Sequence, residues 1–323
     1  GLAAACLLFA VGGPYWLLLV SRLLQGAAAG LGWVASLALI AAAIPLERRG
    51  TYLGLAMSMV SVGTLAGPPL AGWLARDHGH AAPFVLAAAV LVVDGVLRII
   101  FVRPTPPRAD DPATALNVLR VRGSWPVVVL IALGSAVTSA IEPILPVRLA
   151  VGLSLDTAGI GLLFALLVVI GAVLNPMVGA ALSRVSPRLL ALVGAALAVA
   201  GLVLVGAGSR LPVVVAGIVC LGAAVAFLVA PAGTLIGVQG ARTTPPALGG
   251  AYSLYNLAYA AGLTAGPALA GLLTSVLGYP AACTALAAGV AVVAFGGLGR
   301  LPRRLSAPEA SGQGANGSQT PPR

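Results

Sequence analysis

The sequence predicts an all-α polytopic membrane protein with about nine full spans and one partial span. Three observations carry that expectation. Apolar residues make up 59% of the 323-residue chain and charged residues only 8%, where a soluble domain carries about a quarter charged residues. Long apolar runs recur along the chain, nine of them able to cross roughly 30 Å of hydrocarbon, which takes about 20 helical residues. A glycine–proline motif also occurs twice, each time inside such a run, which implies two equivalent halves.

Taken in order, the partial span covers residues 1–11, inside an apolar run from the first residue. Full spans follow at 16–44, 51–75 and 81–102. A stretch rich in Pro, Asp and Arg, residues 103–124, reads as the linker between halves. Beyond it come spans at 125–150, 157–182, 189–207, 212–238, 249–276 and 281–298. The end of the chain, 301–323, is rich in Gly, Ser, Pro and Gln and reads as a disordered tail. The halves are therefore an incomplete N-terminal bundle, 1–102, and a six-helix bundle, 125–300.

Arginine sets the orientation. All 18 basic residues are arginine. Thirteen fall in one set of loops and the tail, including Arg48, Arg49, Arg103, Arg120, Arg122, Arg184, Arg242 and Arg300. Three (Arg76, Arg148 and Arg210) fall on the other side, and Arg22 and Arg98 lie within spans. The positive-inside rule then puts the linker and the C-terminal tail in the cytoplasm. The compositional bias suggests a bacterial source, hence a bacterial inner membrane. The net charge of +10 does not form one basic face, so no nucleic-acid partner is expected. Cys6, Cys220 and Cys283 stand apart without CxxC spacing, so no disulfide, metal site or cofactor is expected. An enzyme would need clustered acids or a nucleophile–base set; only eight acids exist, and apart from Asp110-Asp111 none adjoin.

The two motif copies are Gly63-Thr64-Leu65-Ala66-Gly67-Pro68-Pro69-Leu70-Ala71-Gly72 and Gly262-Leu263-Thr264-Ala265-Gly266-Pro267-Ala268-Leu269-Ala270-Gly271, offset by 199 residues. Gly63, Gly67, Gly262 and Gly266 have GxxxG spacing, which lets helices approach closely in lipid. Packing is their primary reading, with rocking between halves laid over it. The repeat implies that Gly67 and Gly266 behave alike.

Glu142 is the candidate coupling residue. A carboxylate in hydrocarbon must be neutral, paired or facing a watery cavity, and each state suits a proton carrier. Pro143 and Pro146 follow it and disturb the helix. The competing reading is a helix-end acid at the outer interface. Asp94 and Arg98 are spaced i, i+4 and share a face. They read as a structural ion pair, with Asp94 also a candidate in proton coupling. Tyr252, Asn256 and Tyr259 fall on one face, with Tyr255 adjacent. Aromatic faces attract organic cations by about 0.5–2 kcal/mol each, so these are candidate substrate contacts. An interfacial aromatic belt is the competing reading.

As a set, these features resemble the major facilitator superfamily, two six-helix bundles joined by a long cytoplasmic loop. Arg22-Leu23-Leu24-Gln25-Gly26 resembles its fourth-helix arginine signature. Pro45-Leu46-Glu47-Arg48-Arg49-Gly50 resembles the loop that follows. The Gly63–Gly72 stretch resembles the fifth-helix antiporter motif of proton-coupled exporters. Val93-Asp94-Gly95, Ile141-Glu142-Pro143-Ile144-Leu145-Pro146 and, more weakly, Gly250–Asn256 resemble the vesicular amine transporter branch of the drug–proton antiporters. That branch carries acids where Asn256 stands and near Ala230; this chain has neither.

The resemblance implies a monomeric proton-coupled antiporter that exports small amphipathic or cationic compounds by alternating access, with the small-molecule substrate, protons and the lipid bilayer as its partners. Arg22 is implied in proton coupling and Gln25 in substrate contact. Pro68, Gly72, Pro267 and Gly271 join the four glycines as the conformational motif. Subtracting the 199-residue offset places residue 1 part-way through the third helix of the scheme. Arg22 is then expected to lack its first-helix partners. The alternatives are a truncated remnant that does not transport and a facilitator of another small solute.

Overall fold

The structure is a computed structural model and describes residues 1–43, 46–101, 115–244, 247–297 and 300–301. The described elements are helices throughout, as lipid demands of a spanning chain: with no water to bond, each backbone N–H and C=O is paired within its own segment. The expected runs appear as α1 (Leu2–Val11), α2 (Tyr15–Ala43), α3 (Leu46–His78), α4 (Ala82–Phe101), α6 (Ser124–Leu153), α7 (Thr157–Ala181), α8 (Pro187–Ala207), α9 (Leu211–Ala241), α10 (Leu248–Leu277) and α11 (Tyr279–Gly296). Among the described residues, seven of them (α4 and α6 to α11) are long and apolar enough to cross a membrane, with mean hydropathy from 1.5 to 2.8. Prolines interrupt α3, α6, α7, α9 and α10 without ending them, as neighbouring helices and hydroxyl side chains in a membrane permit.

One element was not foreseen. A short helix, α5 (Ala115–Arg120), forms inside the stretch read as linker. It packs on α10, buries Val118 completely, and is tied to the next helix by Ser124 Oγ, which donates to the Val118 carbonyl at 2.7 Å. Gly123, at φ 95°, makes the turn between them, a conformation that a residue with a Cβ rarely adopts. The rest of the linker up to residue 114, and the tail beyond residue 301, lie outside the described residues.

The chain divides into two compact units. One comprises Gly1–Asp110 with Leu149–Val169; the other comprises Asp111–Arg148 with Ile170–Arg323. In the first, α1 packs on α2 and α4, and α3 on α2 and α4. In the second, α8 packs on α9 and α11, and α10 on α9 and α11. The α8–α9 contact is set by two glycines facing each other. A Cβ at Gly201 would lie 2.9 Å from the Gly217 carbonyl oxygen, and one at Gly217 3.0 Å from the Gly201 oxygen. Val178, Leu182, Leu190 and Ala226 close the opposite end of this unit's core.

Polar residues finish the helix ends. Asp156 Oδ1 accepts the Gly159 N–H at 2.9 Å and caps α7. Ser186 Oγ accepts the Leu189 N–H at 3.2 Å and caps α8, with Pro187 at the first helical position. Ser186→Ala is therefore expected to cost about 1 kcal/mol. Unfolding in detergent should show a fall in melting temperature with Ala and a recovery with Asp.

Candidate functional site

In the first unit the polar groups gather around Arg22. Its guanidinium lies 4.3 Å from the Phe9 ring centroid and 5.7 Å from that of Phe84, and the two rings are 4.6 Å apart. Arg22 Nη1 donates to Gln25 Oε1 at 3.1 Å, and Gln25 Nε2 donates to the Ala5 carbonyl at 3.2 Å. Arg22 was expected to lack its first-helix partners. In the described residues α1 and α4 supply two aromatic faces and Gln25 supplies an acceptor. Each such cation–aromatic contact is worth about 0.5 to 2 kcal/mol. Both ends of the buried Gln25 amide are engaged in this arrangement.

Asp94 and Arg98 form the expected pair at 2.7 Å. Arg98 Nη1 also donates to Ser36 Oγ at 3.2 Å, and Ser36 donates to the Gly32 carbonyl at 2.7 Å. The pair thus fastens α4 to α2. Outside the spans, Arg76 and Asp77 are paired at 2.8 Å. The hydrogen bond from Arg76 holds the Asp77 carboxyl below the usual carboxylate range. His78 packs edge-on against Trp73, with ring centroids 6.1 Å apart.

The second unit holds the other candidates. Glu142 is exposed on α6. Among the described residues it has no ion pair and no hydrogen bond. Its charge reaches Tyr259 on α10. Tyr259 in turn stacks on Tyr255, with ring centroids 5.9 Å apart and planes 13° from parallel. The stacked pair is therefore 255/259, one turn apart, where the helical-face reading grouped 252, 256 and 259. Tyr252 stands 52% exposed, and Asn256 is half-buried.

The two copies of the glycine motif differ in what they touch. A Cβ at Gly262 would collide with Ser135 Oγ and the Ala132 carbonyl of α6. One at Gly266 would lie 2.5 Å from both the Ala136 oxygen and Ser139 Oγ. Ser139 Oγ also sits 3.4 Å from the Gly262 carbonyl. At Gly63 and Gly67 a Cβ meets nothing within 4 Å. The first copy makes its contacts further along. A Cβ at Gly72 would lie 3.4 Å from the Thr157 carbonyl oxygen, and one at Gly161 3.3 Å from the Pro68 oxygen, both at the start of α7. Pro267 is half-buried and Gly271 is open. The repeat is one of sequence; its neighbours are not repeated.

A further pair went unread in the sequence. The Arg148 guanidinium lies 5.8 Å from the Tyr279 ring, and Tyr279 OH donates to the Val205 carbonyl at 3.2 Å. The only sequence signal was an arginine at the end of an apolar run, six residues after Glu142.

Long apolar helices with a few charged groups among them make a polytopic membrane protein. The chain belongs to the Major Facilitator Superfamily, whose family model matches residues 1–240 and 124–322. It is 24% identical over 280 residues to the chromaffin granule amine transporter of Rattus norvegicus, covering 85% of this chain and 53% of that protein. It is 31% identical over 147 residues to the synaptic vesicular amine transporter of Bos taurus, covering 43% of this chain and 28% of that one. Over 97 residues it is 36% identical to the vesicular acetylcholine transporter of Drosophila melanogaster, covering 30% of this chain and 17% of that one. The chain spans about half the length, or less, of these relatives. The crystal structure of a bacterial homologue of the human lysosomal transporter Spinster, inward-facing and unoccupied, shares the fold: TM-score 0.64 at 16% identity, covering 93% of this chain and 78% of that one.

Proposed function

We propose that this protein is a proton-coupled antiporter that exports small amphipathic or cationic organic compounds across a bacterial inner membrane. One observation carries the reading: Glu142 stands in an apolar helix with no ion pair or hydrogen bond among the described residues, in electrostatic range of Tyr259, which stacks on Tyr255. An ionised Glu142 attracts a cation, and the tyrosine faces add contact to its apolar part. Protonation removes the attraction and releases the cation. Binding of substrate and of proton then exclude each other, which is what antiport requires. The names of the amine and acetylcholine transporters among its relatives support a cationic substrate. Residues 1–102 and 125–300 are the two moving halves in this reading, with Arg22 and Asp94 in the first as further coupling candidates. The protein works as a monomer, with its C-terminus in the cytoplasm.

The test is flux. Protein reconstituted into liposomes with an acidic interior is expected to accumulate a fluorescent organic cation, and a protonophore should stop it. Accumulation that survives the protonophore would overturn proton coupling. No accumulation in sealed, correctly inserted vesicles would favour the non-transporting remnant.

A further inference from the structure

At one end of the second unit, the first turn of α6 and the last turn of α11 enclose a groove of about 290 Å³. Trp125 and Val129 form one wall, Val293 and the glycines at 296 and 297 the other, and Arg300 completes the lining. The glycines keep it open. A Cβ at Gly296 meets nothing within 4 Å, while one at Gly297 would press on Val129 at 3.3 Å. The walls are apolar, and the one charge is basic. Trp125 is 63% exposed, and Arg300 has no ion pair among the described residues.

We infer that this groove binds one acyl chain of an anionic phospholipid, with the lipid phosphate on Arg300. The placement argues for lipid rather than for a soluble ligand. Trp125 opens the span of α6, and Arg300 stands one turn past the end of α11. Tryptophan at a helix end marks the membrane–water interface, and a basic group between helix ends on the cytoplasmic side suits an anionic headgroup. Arginine can hold a phosphate through paired N–H donors. The volume lies at the low end for ligand pockets, which run from roughly 300 to 1,000 Å³. It therefore admits one chain segment and not a whole lipid. The arginines of the adjoining segments, Arg120, Arg122 and Arg242, give the end of this unit the same sign.

Brominated lipids quench tryptophan at short range and test this directly. The four tryptophans are reduced to one by changing Trp16, Trp33 and Trp73 to Phe in the full chain. Trp125 is then titrated with dibromo-phosphatidylglycerol or dibromo-phosphatidylcholine in nanodiscs. Half-quenching should need about fivefold less phosphatidylglycerol, the worth of one interfacial arginine. Arg300→Gln should bring the two lipids together. Gly296→Leu should weaken quenching by both, at an unchanged melting temperature. Equal quenching in the parent, or a preference that survives Arg300→Gln, would overturn the inference. A photo-reactive benzoylphenylalanine at position 293 identifies the occupant by adduct mass. A phospholipid adduct supports the inference, and a peptide from residues 302–323 refutes it.

Discussion

Replacing Glu142 with glutamine is expected to reduce gradient-driven accumulation of an organic cation to the level of protein-free liposomes. Glutamine keeps the shape and a hydrogen-bonding end but cannot lose a proton. Binding should suffer too. A charge-assisted contact is worth about 1.5–3 kcal/mol, so affinity should fall roughly tenfold to a hundredfold. The pH profile separates this from simple damage. In the parent, cation affinity rises with pH as the carboxyl ionises; in Glu142→Gln it should be flat. The variant should fold normally, because Glu142 has no ion pair or hydrogen bond to lose among the described residues. Asp94→Asn is the control. It breaks a half-exposed pair with Arg98, worth about 0.2–1 kcal/mol, and should leave cation affinity intact; a changed pH dependence would give Asp94 a part in coupling beside Glu142. An unchanged pH profile in Glu142→Gln would remove that residue from the coupling step.

The second large effect concerns packing. Gly262→Leu and Gly266→Leu should each cost about 3 kcal/mol or more, at or above the upper end of the usual range for overpacking. Either side chain must displace backbone oxygen and serine hydroxyls of α6, and lipid offers no hydrophobic compensation for helices held apart. Gly67→Leu, at a position open on the side where a Cβ would project, should change stability by less than about 1 kcal/mol. Unfolding in mixed micelles with increasing sodium dodecyl sulfate would rank the three. Equal losses at positions 67 and 266 would restore the symmetric behaviour that the repeat suggests and overturn the asymmetry of their surroundings.

The contrast shows what a sequence of this kind exposes to reading. The helices were legible because hydrocarbon permits so few solutions: an apolar run of sufficient length must be helical. Their ends shifted where helical bonding continued into polar residues, as α3 does from Leu46 to His78. The helix α5 was hidden because six residues give no periodicity to read. At the candidate site, Glu142 and the Asp94–Arg98 pair stood out as charges in apolar runs. The partners of Arg22 did not, since Phe9 and Phe84 come from helices far apart in the chain and look like any other apolar residue. The repeat is plain as a motif, yet nothing in its ten residues records that Ser135 and Ser139 would lie against only one of the two copies.

The crossing of α8 and α9 limits how this chain can vary. At Gly201 and Gly217 each helix presents the other with a carbonyl oxygen as well as a side chain, Leu221 against Gly201 and Val205 against Gly217, and trimming the side chain leaves the oxygen in place. An enlarged residue at either position strikes backbone, and its partner is already the smallest residue there is. No second substitution at the facing position can make room. Compensation, the ordinary route by which cores drift in sequence, is closed at this point. Any descendant that loses one of these glycines must move a whole helix.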